Sequence, residues 1–266
     1  MSLTLSELRR RYLEQGRPVP RAVRLALQHD PRAGAAALLD ALERRSQAAI
    51  RESRRLRRLS RFEQVLWKSG VQHIAGVDEA GMSPLAGPVV AGAVVLPVGY
   101  RRAGIDDSKK LSAAQREELA THLKREALAW AIGIATPDEI DRINIYHAGL
   151  LAMRRAVEAL ALRPEHLLID ARSLRQLEIP QQGIVRGDAQ SISIASASIL
   201  AKTSRDAMML ELDRRYPGYG FARHKGYPVR EHVRAMTERG VLPVHRRSFA
   251  PVQQALGLRP VQLELG

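Results

Sequence analysis

The chain has 266 residues, of which 45% are apolar and 26% are charged, and its formal net charge is +14. It has no cysteine, which excludes disulfides, thiolate metal sites and a cysteine nucleophile. No apolar run approaches the roughly 18 residues of a membrane span, and the N-terminus has no apolar core of signal-peptide type. The simplest expectation is a cytoplasmic monomer. Its positive charge favours a polyanionic partner, such as nucleic acid, over a membrane.

The positive charge is concentrated near the N-terminus. Residues 1–70 hold 16 basic and 7 acidic residues, and their pattern predicts helices, with one long helix over about 30–70 that is broken at most once. In this helix four arginines recur at i, i+3, i+4 and i+7 and share one face: Arg51, Arg54, Arg55 and Arg58. This face is either solvated or a surface for phosphate groups. We predict a basic helical extension over 1–70 and a separate domain over 71–266.

From residue 71 onwards, strand-like apolar runs alternate with helical patterns. Strands are predicted at 73–77, 87–96, 127–135, 166–170 and 183–188. Helices are predicted from Ser112, where Gln115 is placed for a capping box, and over about 136–162, 189–217 and 229–239. Three early strands followed by helix–strand alternation predict an α/β fold, with a mixed sheet and helices packed on it.

Four acids lie at or just beyond the C-terminal ends of predicted strands: Asp78, Glu79, Asp170 and Asp188. In open α/β sheets this edge is where binding sites are built. Asp78 and Glu79 would converge only if their strand ended before them, because side chains alternate faces along a strand. Clustered carboxylates without Cys or His favour Mg²⁺ or Mn²⁺, and two such ions about 4 Å apart can hydrolyse a phosphodiester. Each acid alone is more typical of a helix cap or an Asx turn, so a metal nuclease and a set of structural caps both stay open.

Longer motifs resemble a known family. The segment GVDEAGMSPLAGPVVAGAVVL at 76–96 is similar to the first motif of type 2 ribonucleases H, specifically of bacterial ribonuclease HII. Further matching segments follow in the right order at 106–112, 143–160, 167–170, 186–206, 216–228 and 245–252. The resemblance implies a ribonuclease H-like fold. It also implies cleavage of the RNA strand of RNA–DNA hybrids and incision 5′ to ribonucleotides embedded in duplex DNA, as in ribonucleotide excision repair. Some members of the family also carry a helical N-terminal extension.

The resemblance assigns the main site residues. Asp78, Glu79, Asp170 and Asp188 match the acids that hold Mn²⁺ or Mg²⁺, in a two-ion site, and place the attacking water. Tyr227 matches the tyrosine expected to stack on the sugar at the RNA–DNA junction. The products would carry 3′-hydroxyl and 5′-phosphate ends.

Basic residues in the matching segments are candidate phosphate contacts. Lys109 and Lys110 lie in the DSKKL segment, and either Arg246 or Arg247 is a further candidate. His224 and His245 also lie in matching segments, and we predict structural hydrogen-bonding roles for both.

The chain departs from the family pattern close to the acids. Where the family usually has Gly-Arg-Gly, whose backbone reads the 2′-hydroxyl at the junction, this chain has Gly81, Met82 and Ser83. Met82 removes a cationic side chain with several donors, and Ser83 adds a Cβ where the substrate approaches. Ala171 replaces the usual glycine, and Ala-Gln at 189–190 replaces the usual Ser-Lys. We expect the metal site to persist, and junction recognition or turnover to be weaker.

Two other functions stay open on the sequence. The substituted segment 81–83 is compatible with a ribonuclease HIII-like enzyme that cuts hybrids but does not incise at single ribonucleotides. A weakly active or non-catalytic nucleic-acid-binding homologue is the other alternative. The retained acids argue against it, because clustered negative charge disfavours binding to a phosphate backbone. The basic extension over 1–70 is expected to compensate in part for weaker junction recognition, by holding the duplex nonspecifically.

Overall fold

A computed structural model describes residues 3–258, which form two compact units divided between Arg58 and Leu59. The first unit is helical. It comprises α1 (Leu5–Leu8), a π-helical continuation (Arg9–Glu14), α2 (Arg21–Gln28) and most of α3 (Ala35–Leu59). These helices enclose a small core of their own, which includes Leu8, Tyr12, Leu27, Leu38 and Leu42.

The long helix predicted over 30–70 is interrupted at Ser60, between α3 and α4 (Arg61–Lys68). On α3 the predicted arginine stripe is present. Glu52 pairs with one of its members, Arg55, at 2.7 Å, and the other three arginines are exposed. Helix α4 belongs to the second unit and packs against the sheet described below through Phe62, Leu66 and Trp67. Its burial there shows that residues 59–70 contribute to the core of the second unit.

The second unit is built on a mixed sheet. In the described part of the chain its strands are β1 (Ile74–Ala80), β2 (Val89–Val95), β3 (Ala129–Ala135), β4 (His166–Asp170) and β5 (Gln181–Ile184). Their order is β3-β2-β1-β4-β5. The pairs β1–β2 and β2–β3 are antiparallel, whereas β1–β4 and β4–β5 are parallel. The predicted mixed α/β sheet is therefore confirmed.

Helices cover both faces of this sheet. The helices that follow β1 in this unit are α5 (Ala113–Glu126), α6 (Pro137–Glu158), α7 (Ile192–Arg215), α8 (Phe221–His224), α9 (Arg230–Arg239) and α10 (Ala250–Ala255), and of these α6 and α7 pack directly on the strands. Helix α6 packs on the face that carries Ala75 and Val77, and α7 packs on the face that carries Ile74. Residues buried on both faces explain why β1 and β2 are almost continuously apolar. No helix among residues 3–258 has the length and hydropathy needed to cross a membrane.

Helix starts follow the predicted capping chemistry. Ser112 Oγ accepts from the Gln115 backbone N–H, and Gln115 Oε1 accepts from the Ser112 backbone N–H, so the capping box of α5 is confirmed. Thr136 and Glu139 form a second box at the start of α6. Asn144, with φ 65° and ψ 165°, then divides α6 into a short and a long part.

The strand predicted over 183–188 is only partly correct. Strand β5 ends at Ile184, and Asp188 lies in a 3₁₀ turn over Gly187–Ala189. The chain leaves the strand because Arg186 adopts a left-handed conformation, with φ 55°. The Gly187 N–H donates to Asp170 Oδ1 at 2.6 Å, so the turn is fixed by a side chain of the neighbouring strand.

Candidate active site

The predicted acids come together at one edge of the sheet from three segments. Asp78 and Glu79 lie in β1, Asp170 ends β4, and Asp188 lies in the turn before α7. Because β1 and β4 are parallel neighbours, their C-terminal ends meet at the same edge. The expectation that the first strand ends before its acids is wrong, since β1 continues to Ala80.

Asp78 and Glu79 therefore point to opposite faces of the sheet. Asp78 is buried beneath α7, close to the Ser198 hydroxyl. Its Oδ1 also accepts from the Glu79 backbone N–H at 2.7 Å. On the other face, Glu79 Oε1 lies 3.7 Å from the Nε of Arg172. The two carboxylates are thus fixed separately, with Asp170 beside both.

Burial and mutual repulsion disfavour the ionised forms of Asp78 and Glu79. Desolvation raises the pKa of Asp78 well above its usual range, and the charges of Glu79 and Asp170 raise it further. Burial also raises the pKa of Glu79, although the guanidinium of Arg172 partly opposes the shift. A cation at this edge would offset both the desolvation and the repulsion.

Asp188 shows the same behaviour on a smaller scale. Burial raises the pKa of its carboxyl, the charge of Asp107 adds to the shift, and Lys109 opposes it. The Lys109 Nζ lies 3.4 Å from Asp188 Oδ2, and the lysine side chain is 81% exposed. A predicted phosphate contact is thus placed directly at the acidic edge and open to solvent.

The donor set fits a hard divalent cation. Four carboxylates without Cys or His supply the oxygen ligands that Mg²⁺ and Mn²⁺ prefer. Glu79 Oε2 is buried without a hydrogen-bond partner, as expected of an oxygen that completes its bonding with an ion. Among residues 3–258 no three Asp, Glu or His side chains are already arranged around one ion position. Glu79 and Asp188 lie instead beside the cations of Arg172 and Lys109.

The segment that follows β1 is held by a fully buried arginine. Arg246 donates to the carbonyl oxygens of Gly81 at 2.6 Å, Met82 at 3.0 Å and Gly87 at 3.0 Å. Of the two arginines proposed as a phosphate contact, Arg246 is therefore not available, because its nitrogens donate to main-chain carbonyls. The adjacent Arg247 has an exposed side chain, and its backbone N–H donates to Asp141.

A second buried arginine continues this support. Arg205 of α7 donates to the carbonyl oxygens of Pro88 at 3.1 Å, Ala86 at 3.2 Å and Lys225 at 3.1 Å. It thereby ties the segment after β1 to the loop that carries Tyr227. Tyr227 is 41% exposed. It is therefore accessible from solvent, and its contact with a substrate stays a prediction.

In the substituted segment over 81–83, the side chain of Met82 points into the protein and that of Ser83 points outward. Met82 packs into the core against α6, with its sulfur directly over Gly149. Ser83 is exposed. Gly81 has φ 93°, and a Cβ there would overlap Arg205 and come within 2.9 Å of the Pro88 oxygen. Glycine is therefore required at 81, whereas the Met82 side chain is absorbed by packing.

The remaining predicted residues, Lys110 and the two histidines, make contacts with other protein groups. Lys110 Nζ pairs with Asp106 at 3.3 Å and does not join the acids. His224, His232 and His245 form a packed cluster, in which the last two approach through their Nε2 atoms at 3.1 Å. Burial lowers the pKa of both His232 and His245 to about 4. Neutral, packed imidazoles agree with the predicted structural role of His224 and His245.

Sequence reasoning missed Glu63, because a single acid in a basic helix gives no signal. Glu63 is fully buried, and its Oε1 accepts from the Ser191 hydroxyl and, at 3.0 Å, from the Ser193 backbone N–H. It thus secures the start of α7 three residues after Asp188. Burial raises the pKa of Glu63, with these hydrogen bonds opposing the shift.

Comparisons with known proteins identify the family of the chain. The family model described as Ribonuclease HII matches residues 75–252. A ribonuclease HII of Myxococcus xanthus (strain DK1622) is 60% identical over 259 residues, which cover 97% of this chain and 88% of that relative. The crystal structure of ribonuclease H2 from Pyrococcus horikoshii OT3 has a TM-score of 0.60 at 26% identity, covering 69% of this chain and 96% of that one. Bst-RNase HIII in complex with Mn²⁺ shares the fold, with a TM-score of 0.52 at 20% identity, covering 71% of this chain and 70% of that one. The chain therefore belongs to the ribonuclease HII family.

Proposed function

We propose that this chain is an endoribonuclease that cleaves the RNA strand of RNA–DNA hybrids and incises duplex DNA 5′ to embedded ribonucleotides. The observation that carries the proposal is the acidic edge of the sheet, where Asp78, Glu79, Asp170 and Asp188 lie together in a chain of net charge +14. The curated relatives named ribonuclease HII support the same activity.

Mg²⁺ or Mn²⁺ is the proposed cofactor, and the four acids would hold it, with room in the donor set for two ions. When bound, such an ion lowers the pKa of a water and stabilises the leaving oxygen of a phosphodiester. The raised pKa values of Asp78, Glu79 and Asp188 support a cation site, because these carboxyls resist ionisation without one. The Mn²⁺ complex of Bst-RNase HIII is a precedent in the same fold.

The chain itself orients the acids. The Glu79 backbone N–H fixes one oxygen of Asp78 at 2.7 Å, and the Gly187 N–H fixes one oxygen of Asp170 at 2.6 Å. A carboxylate held at one oxygen has its other oxygen available to a ligand in a defined direction. Lys109 offers a solvent-exposed cation beside Asp188, where a substrate phosphate would otherwise meet only negative charge.

The segment over 81–83 is the proposed reader of the ribonucleotide. The Gly81 and Met82 carbonyls point inward to Arg246. In a trans peptide the N–H points away from the carbonyl, so the N–H groups of Met82 and Ser83 face away from Arg246. Backbone donors held in this way can bind a 2′-hydroxyl whichever side chain stands at 82, since the Met82 side chain packs inward. We therefore expect incision at single ribonucleotides to be retained.

The test is strand cleavage of two labelled duplexes, each with Mg²⁺ and with Mn²⁺. One duplex is DNA with a single ribonucleotide, and the other is a continuous RNA–DNA hybrid. The expected result is cleavage of both, 5′ to the single ribonucleotide in the first, and loss of both activities in Asp170→Asn. Cleavage of the hybrid alone would favour the ribonuclease HIII-like alternative that the substituted Met82 and Ser83 left open. Metal-dependent cleavage of neither duplex would favour the binding protein.

The setting of the enzyme is also part of the proposal. A cytoplasmic location, a monomeric state and nonspecific duplex binding by the basic extension over 1–70 stay predictions. The two labelled duplexes, assayed over a salt series, test the last of these.

A further inference from the structure

A cavity of about 900 Å³ opens next to the acidic edge, between α6 and the segment after β4. Its wall includes Ala171 and Arg172, which directly follow Asp170 in the chain. Its volume lies within the range of about 300–1,000 Å³ that is typical of small-molecule sites. The mechanism proposed above makes no use of this cavity.

The cavity has a basic lining. Arg154, Arg172 and Arg175 line it, and none of its lining residues in the described part of the chain is acidic. Arg172 faces Glu79 across 3.7 Å, and Arg175 is exposed. The Arg154 Nη1 donates to Gln176 Oε1 at 2.8 Å, whereas its buried Nε makes no hydrogen bond and lies 3.6 Å from a Glu158 oxygen. This lining favours an anionic ligand.

The cavity also offers an aromatic platform over an apolar floor. Tyr146 is 52% exposed, and the Arg172 guanidinium lies 4.8 Å from its ring centroid. The floor is formed by apolar side chains of α6 that also pack in the core, among them Leu150 and Leu151. An exposed ring backed by a guanidinium is the arrangement on which nucleobases stack.

We propose that this cavity binds one unstacked nucleotide of the nucleic-acid substrate, with the base on Tyr146 and the phosphate on Arg172 and Arg175. The identity of the ligand as a nucleotide of the substrate rests on the proposed function. Neither charge nor aromatic surface alone selects a nucleotide, whereas the two together within one cavity do. Arg172 joins the cavity to the acidic edge, since it contacts both Tyr146 and Glu79.

The first test measures binding of adenosine 5′-monophosphate and of inorganic phosphate to the full chain in EDTA. Base recognition requires the nucleotide to bind more tightly than phosphate. Because stacking of one base contributes roughly 1–3 kcal/mol, Tyr146→Ala should weaken nucleotide binding at least about fivefold and leave phosphate binding unchanged. Tyr146→Phe keeps the ring and should bind within about twofold of the parent chain. Equal affinity for nucleotide and phosphate would overturn the proposal.

The second test uses the cleavage assay. Arg175→Ala, on an exposed residue, should raise KM for the hybrid several-fold at unchanged kcat, and Arg101→Ala, at an exposed position outside the cavity, should change neither. Unchanged KM in both Arg175→Ala and Tyr146→Ala would refute the cavity as a substrate site. An inactive parent chain would refute the proposed function instead. The nucleotide-binding test would then still decide whether the cavity recognises a base.

Discussion

Substitution Gly81→Ala tests whether Arg205 shapes the segment that follows β1. The new methyl group would meet two separate obstacles. Gly81 has φ 93°, where an L-residue is strained, and its Cβ would overlap Arg205 and approach the Pro88 oxygen to 2.9 Å. Arg205 is 1% exposed and makes three hydrogen bonds to carbonyl oxygens, so it has little freedom to move aside.

The expected loss of stability is the sum of these two effects. The left-handed conformation costs an L-residue about 1–2 kcal/mol. Displacing Arg205 breaks at least one hydrogen bond from a charged donor, at about 1.5–3 kcal/mol. We therefore expect Gly81→Ala to lower the free energy of unfolding by about 2.5–5 kcal/mol.

Gly99→Ala is the matched control. Gly99 also has a positive φ, of 74°, but no atom lies within 4 Å of the position of its Cβ, so only the backbone strain of about 1–2 kcal/mol applies. Urea unfolding followed by tryptophan fluorescence is the assay. The two tryptophans of the chain, Trp67 and Trp130, both lie in the second unit, so the signal reports that unit alone. Equal losses in the two alanine variants would show that the contact with Arg205 costs nothing, and would refute the reasoning.

Three further predictions concern the acids and the basic helix. Because burial raises the pKa of Asp78 in the folded chain, the metal-free protein loses stability as pH rises through that pKa. In EDTA, Asp78→Asn should therefore be more stable than the parent chain at pH 7.5, and equally stable near pH 4. A difference in stability that is the same at both pH values would contradict this. Glu63→Ala leaves the Ser191 hydroxyl and the Ser193 N–H without their acceptor, and it should lower the free energy of urea unfolding by about 2–4 kcal/mol. The control Glu118→Ala, on the exposed side of α5, should lower it by less than about 0.5 kcal/mol. Arg51, Arg54 and Arg58 are the three exposed arginines on the basic face of α3. If this face binds phosphates, replacing all three by glutamine should raise KM and reduce the slope of log KM against log salt concentration by up to about 3. An unchanged slope would mean that the face is only solvated.

Sequence patterns located the elements that depend on local chemistry. The runs of small apolar and β-branched residues between glycines and prolines predicted β1 to β4, because burial and strand propensity act within each segment. The capping box at Ser112 was visible for the same reason. The position of Asp170 at the end of β4 was likewise predictable, since a strand end is a local feature.

Features that depend on tertiary contacts were not predictable. The turn around Asp188 is set by the left-handed Arg186 and by the bond from the Gly187 N–H to Asp170, which lies 17 residues earlier in the chain. Arg246 and Arg247 are adjacent and chemically identical, yet only Arg246 is buried against main-chain carbonyls. No sequence period distinguishes these two arginines, because the carbonyls that bind Arg246 come from a segment about 160 residues away.

The strand order also has a consequence for synthesis on the ribosome. Strands β1, β2 and β3 pair with one another, so their antiparallel sheet can form once the chain has emerged to about residue 135. At that stage β1 is an unpaired edge strand, and its Asp78 and Glu79 have neither Asp170 nor Asp188 beside them. The group of acids is completed only when β4 pairs in parallel with β1 and α7 covers Asp78. A nascent or prematurely terminated chain that lacks residues beyond about 188 is therefore expected to be unable to cut RNA, so the hydrolytic activity would appear only near the end of translation.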